Sequence, residues 1–149
     1  MVAALDVQAF DELPHGIADL VDLSKAEGHD LVERLVDDWR DGSNRFDRIG
    51  EVACRVRLGP ELVGVGGLNR DPYIDDPNVG RIRHVYVVPG ARGAGVGRAL
   101  VEALVDHARG RFARVRLRTV TAAGAGFYRA LGFEETPEEP ESTHHIWLL

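Results

Sequence analysis

Ile82–Leu100 reads IRHVYVVPGARGAGVGRAL, an apolar run that enters a glycine-rich turn and continues into a helical pattern. Val85, Tyr86, Val87 and Val88 are β-branched or aromatic, which favours a largely buried strand, and Pro89 with Gly90 ends it. Beyond the turn, Val96, Ala99, Leu100, Ala103, Leu104 and Ala108 recur at helical spacing, so a helix is predicted from near Gly95. Gly93, Gly95 and Gly97 leave the N–H groups of its first turn unscreened by side chains, at the positive end of the helix dipole. A phosphate or pyrophosphate suits this segment, which runs through Ala94 and Val96, with Arg92 and Arg98 as flanking cations.

The chain of 149 residues is expected to form a single domain over its whole length, 1–149, long enough to fold without staples. One cysteine, Cys54, excludes an internal disulfide and a cysteine-built metal cluster, and its expected role is that of a small core residue. The opening residues MVAALDVQAFDELP have no basic region leading into an apolar core, and no apolar run approaches membrane-spanning length. A cytoplasmic protein with no membrane partner is therefore expected. A net charge of −6 argues against nucleic-acid binding, yet Arg81 to Arg118 holds nine arginines against only Glu102 and Asp106. Lys25 is the only lysine, but a preference for arginine does not explain that clustering.

Outward from the central stretch, a weakly signalled strand is predicted over Val2–Phe10, then helices over Gly16–Glu27 and His29–Arg40, the second stopped by Asp41-Gly42-Ser43-Asn44. Glu51–Leu58 and Leu62–Leu68 read as strands joined by Gly59-Pro60-Glu61. Gly64, Gly66 and Gly67 on the return strand imply close approach of backbone or ligand, or a bulge. A loop over Asn69–Gly80 leads back to the opening strand. After the central helix, Ala113–Val120 alternates Val115 and Leu117 with Arg114, Arg116 and Arg118, a half-buried strand. A helix from Thr121 through Ala130, a short extended piece at Phe133–Glu135, an acidic loop and a final strand over His144–Leu149 complete the chain. This order predicts an α/β (α+β) domain with a mixed central sheet and flanking helices.

Three glycine signatures can be separated here. The nucleotide-hydrolase loop needs a lysine that is absent. The dinucleotide fingerprint fails because Arg98, Leu100 or Asn69 stands where its last glycine belongs. What remains is Arg92-x-x-Gly95-x-Gly97 after a strand ending Val-x-Pro, and here the chain resembles the GCN5-related N-acetyltransferase superfamily. TAAGAGFYRALGF, Thr121–Phe133, is similar to that family's later helix, and the resemblance is strongest from Ile82 to Phe133.

The resemblance implies a GNAT-like acyltransferase fold with acetyl-CoA as co-substrate and no metal. Val85, Tyr86 and Val87 match the strand that pairs with the pantetheine arm, and Gly93 through Arg98 match the pyrophosphate loop. Thr121 stands where Asn often contacts the cofactor, and Tyr128 matches the residue that protonates the departing thiolate. An amine would attack the thioester directly, with the Val87 N–H facing the developing oxyanion. For the general base, His84 is the best single candidate because an unperturbed imidazole titrates near working pH, with Glu51, Asp71, His145 or a relaying water as alternatives. His144 and His145 face opposite ways in a strand and make a poor metal pair.

The acceptor pocket is expected from the first two helices, their connection and the loop after the glycine-rich strand, with Trp39, Asn44, Arg45, Phe46, Asn69, Asp71 and Tyr73 as candidates. Arg81 and Arg83 suit a substrate carrying a carboxylate. The expected function is N-acetylation of a primary amine on a small molecule, peptide or protein; the alternative is a non-catalytic acyl-CoA-binding or sensor module. The family resemblance leaves a homodimer open.

Overall fold

The computed structural model describes residues 4–148. Val2, Ala3 and Leu149, included above in the terminal strands, lie outside the described residues. The elements are β1 (Leu5–Ala9), α1 (Ile17–Ala26), α2 (Leu31–Asp41), β2 (Val52–Leu58), β3 (Glu61–Arg70), β4 (Val79–Val87), α3 (Val96–Ala108), β5 (Arg114–Leu117), α4 (Ala122–Ala130), β6 (Glu134–Glu135) and β7 (His144–Trp147). They build one mixed sheet of seven strands in the order β1-β2-β3-β4-β5-β7-β6. Every pairing is antiparallel except β4 with β5, which the α3 crossover makes parallel.

Helices cover both faces. The apolar stripes of α1 and α2 place Ile17, Leu20, Val32, Leu35 and Trp39 against Val65 and Tyr86 on one face. On the other, α3 lays Val96, Leu100, Val101 and Leu104 over Cys54, Val56, Leu68 and Ile82, with Tyr128 and Phe133 completing that core. The glycines of β3 are packing devices. A Cβ on Gly64 would come within 3.1 Å of Val96, and one on Gly67 would overlap the Phe46 ring. Burial pushes the Cys54 thiol up to about 11, the state of an inert core residue.

β5 differs from its sequence pattern in two ways. It ends at Leu117 rather than Val120, because the Leu117 carbonyl and the Thr119 N–H are both taken by Thr143, and the chain then bends into α4. Its arginine face is not solvated throughout. Arg116 is 1% exposed, held by Asp71 at 2.8 Å and Glu139 at 3.1 Å, so the charge is buried only because it is paired.

Candidate active site

β4 and β5 pair only at Val79–Arg81 with Arg114–Arg116. Beyond Arg81 they separate, leaving β4 without a β5 partner from Ile82 to Val87. Within that free stretch the β3 register slips. Gly67 faces Arg83 and Val65 faces Tyr86, so Gly66 opposes both His84 and Val85, and His84 takes φ +60°. This bulge resets the alternation of side chains. Val85 and Val87 join Ile82 on the α3 face, and Tyr86 turns to the α1 and α2 face.

The backbone follows the same phase. The Val88 N–H is taken by the Val63 carbonyl at 2.9 Å, on the β3 side. By alternation the Val87 N–H and C=O turn to the unpaired side, and the Val87 carbonyl there accepts from Arg92 Nε at 3.1 Å. A groove of about 590 Å³ lies along this edge, lined by Val85, Tyr86, Val87, Thr121, Phe127 and Tyr128 and by the glycine loop. The loop ends in Gly95, which opens α3 at φ +81° with no side-chain cap, so the first-turn N–H groups have no partner from the cap residue. Gly93 is also at φ +81°, and a Cβ at either glycine would meet no protein atom, which leaves the loop's outer surface clear for a ligand. An uncapped helix start facing a groove, with no side chain over it, fits the pyrophosphate of an acyl-CoA.

The flanking cations expected to face the anion are already paired. Arg92 is held by Glu27 through both terminal nitrogens, at 2.7 and 2.8 Å, and Arg98 by Glu102 at 2.8 Å. Tyr86 also donates its hydroxyl to Glu27. Arg92 and then Tyr86 hold the Glu27 carboxyl down at about 2, while burial and the Glu27 carboxylate push the Tyr86 phenol up to about 12. The Thr121 hydroxyl is likewise engaged: it caps α4 by accepting the Gly124 N–H at 3.0 Å, while the residue itself lines the groove.

Tyr128 is 9% exposed and wedged edge-on between Phe127 and Phe133, with centroids 4.9 and 5.5 Å away. Its hydroxyl has no hydrogen-bond partner among the described residues, and burial raises its pKa, so it is an intact proton donor throughout the physiological range.

The groove continues past Tyr128 into a chamber of about 460 Å³ whose wall includes Arg34, Tyr73, Arg81, Arg83, His84 and Arg118. Among the described residues Glu141 is the one carboxylate lining it, and it pairs with Arg118 at 3.3 Å. His84 packs edge-on against Phe46, and its Nε2 is buried without a hydrogen-bond partner among the described residues. Burial, reinforced by Arg83 and Arg34, holds its pKa down at about 3, so the ring is neutral and weakly basic. His29, absent from the sequence-derived candidates, lines both the groove and the chamber.

The other candidate bases stand elsewhere. Glu51 accepts the backbone N–H groups of Arg48 and Arg70, Asp71 is consumed by Arg116 and Arg81, and His145 sits beside Arg114. The acceptor candidates divide. Trp39 and Phe46 are core residues, and Arg45 is turned onto the Trp39 carbonyl at 2.7 Å. Tyr73 reaches the chamber, where Arg81 stacks on its ring at 4.7 Å; Asn44, Asn69 and Asp71 line a neighbouring cavity instead. Among the described residues no group of three or more His, Cys, Asp or Glu is placed to hold a metal ion, and no helix is long and apolar enough to cross a membrane.

These features are those of an acyl-CoA-dependent acetyltransferase fold. The chain belongs to the acetyltransferase (GNAT) family, whose model matches residues 17–133. It is similar to the N-alpha-acetyltransferase RimI of Mycobacterium tuberculosis, 35% identical over 79 residues that cover 53% of this chain and 49% of that protein. It is also similar to glucosamine 6-phosphate N-acetyltransferase 1 of rice, Oryza sativa subsp. japonica, 42% identical over 57 residues covering 38% of this chain and 34% of that protein. The chain thus matches half or less of each of these relatives' lengths. Among solved structures, a provisionally assigned acetyltransferase from Exiguobacterium sp. 255-15 superposes with a TM-score of 0.86 at 29% identity, covering 97% of this chain and 93% of that one. The Salmonella typhimurium protein yncA, provisionally assigned as an acetyltransferase and solved with acetyl-CoA, shares the fold at a TM-score of 0.69 and 16% identity, covering 98% and 95% of the two chains.

Proposed function

We propose that this protein transfers the acetyl group of acetyl-CoA to an amine on an acceptor that carries an anionic group. The observation that carries the reading is the continuity of one trench: an uncapped helix start, an unpaired strand edge and a buried tyrosine lead directly into an arginine-lined chamber. The relatives named above act, by their names, on an N-alpha position and on glucosamine 6-phosphate, and the second of these acceptors pairs an amine with a phosphate.

Acetyl-CoA supplies an activated acyl thioester. The loop Gly93–Arg98 binds its pyrophosphate through backbone N–H groups. Val85 offers its N–H and C=O groups to the pantetheine amides in the manner of a neighbouring strand. The Val87 N–H donates to the oxygen on which negative charge develops, a fixed dipole in a partly dry groove. Tyr128 gives its hydroxyl proton to the sulfur as the carbon–sulfur bond breaks and regains one from solvent. The incoming amine must shed a proton. His84 is too weakly basic to take it efficiently, and His29, at the junction of groove and chamber, is the better placed imidazole, acting directly or through water. Arg83, Arg34 and Arg118 hold the acceptor's anion and so orient its amine.

A coupled thiol-release assay with matched pairs of amines, acidic and neutral, tests this. Turnover with preference for the acidic member supports it. Acetyl-CoA binding with no thiol release from any amine makes the protein a non-catalytic acyl-CoA sensor instead.

A further inference from the structure

The backbone of Glu141, on the wall of the acceptor chamber, takes φ +60°, a left-handed conformation that a residue with a Cβ adopts at a cost and keeps only where its surroundings hold it. Here they do. The buried Arg81, itself fixed by Asp71 at 3.5 Å, donates to the Glu141 carbonyl at 2.6 Å. The next residues are tied as firmly: the Ser142 and Thr136 hydroxyls bond each other at 2.7 Å, and Thr143 takes the Leu117 carbonyl and the Thr119 N–H. The backbone at Glu141 is thereby pinned to the end of β5.

Its carboxylate is held by much less. Among the described residues its partner is Arg118 Nη1, a single contact at 3.3 Å between side chains 55% and 45% exposed, which water and salt largely screen. Such a pair adds little to a loop already fastened by its backbone. The other guanidiniums of the chamber differ in their freedom. Arg81 is consumed by Asp71 and the Glu141 carbonyl, Arg34 lies 3.8 Å from the exposed Asp30, and Arg83 has no carboxylate within ion-pairing distance among the described residues. A firmly placed backbone thus carries a loosely held anion into a wall of cations.

We infer that Glu141 is a specificity-determining residue of the acceptor chamber: its carboxylate holds the place on Arg118 that the acceptor's acidic group takes. This rests on the transferase reading above, which puts that group on Arg83, Arg34 and Arg118. The entering anion displaces the carboxylate into solvent while the pinned backbone stays where it is. A free anion has to compete with one that is tethered beside its target and gains little. An acceptor whose amine is also seated at the groove makes two attachments and wins the exchange. Glu141 therefore selects molecules that carry amine and acid together over isolated anions, a discrimination built from a competing charge rather than from added contacts.

The test is titration of the full chain, with saturating desulfo-CoA filling the glycine loop, with inorganic phosphate at constant ionic strength, followed by amide NMR shifts. Glu141→Gln keeps the side chain's size and removes its charge, and is expected to tighten phosphate binding about fivefold or more, a gain that misfolding does not produce. Glu138→Gln, in the same loop but outside the chamber wall, is expected to change it less than about twofold. In an Arg118→Gln background the gain from Glu141→Gln is expected to fall below about twofold, because the place it vacates is gone. In turnover, Glu141→Gln is expected to raise kcat/KM for an acidic amine relative to its neutral partner about fivefold. No phosphate binding by Glu141→Gln, an affinity no tighter than wild type, an equal gain in Glu138→Gln or without Arg118, or an unchanged acid-over-neutral ratio overturns the proposal. Failure to bind desulfo-CoA or to turn over any amine contradicts the transferase reading separately, because the Arg118-dependent gain is read on the CoA-free chain as well.

Discussion

Glu27 grips Arg92 in a bidentate pair, with contacts of 2.7 and 2.8 Å, and the same guanidinium reaches back through Nε to the Val87 carbonyl at 3.1 Å. The end of α1 is thereby tied to the base of the glycine loop and to the strand edge proposed to polarise the thioester. The arginine of the loop serves to set the position of the loop's backbone donors, and its own charge is largely neutralised.

Replacing Glu27 by Gln removes the charge from this tie while keeping its size. The KM for acetyl-CoA is expected to rise about five- to tenfold with kcat changed much less, as a steady-state titration would read. The pair also predicts acid sensitivity. Because the folded-state pKa of Glu27 is depressed from 4.5 to about 2, its stabilisation is complete above about pH 4.5 and is lost as pH falls toward 2. The wild-type Tm should therefore drop more steeply than that of Glu27→Gln over this window.

Tyr128→Phe keeps the aromatic packing with Phe127 and Phe133 and deletes only the unpartnered hydroxyl. The kcat is expected to fall about 10²-fold with acetyl-CoA affinity intact. A matching loss of affinity would instead make the tyrosine a packing residue.

The two imidazoles separate by substitution. His29→Gln is expected to lower kcat/KM about tenfold or more, and His84→Gln to leave it within about threefold. With its pKa held at about 3, His84 contributes no inflection to the rate profile above pH 5.

Arg116→Met strips the buried Asp71 of its nearer ion-pair partner, leaving Arg81 at 3.5 Å and the Tyr73 N–H at 2.8 Å. A loss of about 3 kcal/mol in urea unfolding is expected, because the remaining carboxylate is fully buried.

The order of elements and the glycine loop were legible because they depend on local rules: period, turn chemistry and the absence of a lysine. Val85–Val88 announced a strand, but nothing in HVYVV reveals that His84 takes φ +60° and reverses which face Tyr86 occupies. That phase shift depends on Gly66 lying opposite, a pairing between residues distant in sequence. Arg116 looked like the solvated face of an alternating strand because its partners, Asp71 and Glu139, are 45 and 23 residues away. His29 gave no signal beyond its place at a helix break, and Thr121 gave two, since the residue whose hydroxyl caps α4 lines the groove as well.

Thiol release monitored with acetyl-CoA and a panel of amines, with the product identified by mass spectrometry, tests the central claim most directly. Stoichiometric release of CoA with an N-acetylated acidic amine, abolished or greatly slowed by Tyr128→Phe, is the expected result. Absence of N-acetylated product from every amine, while acetyl-CoA binds in the groove, would contradict it.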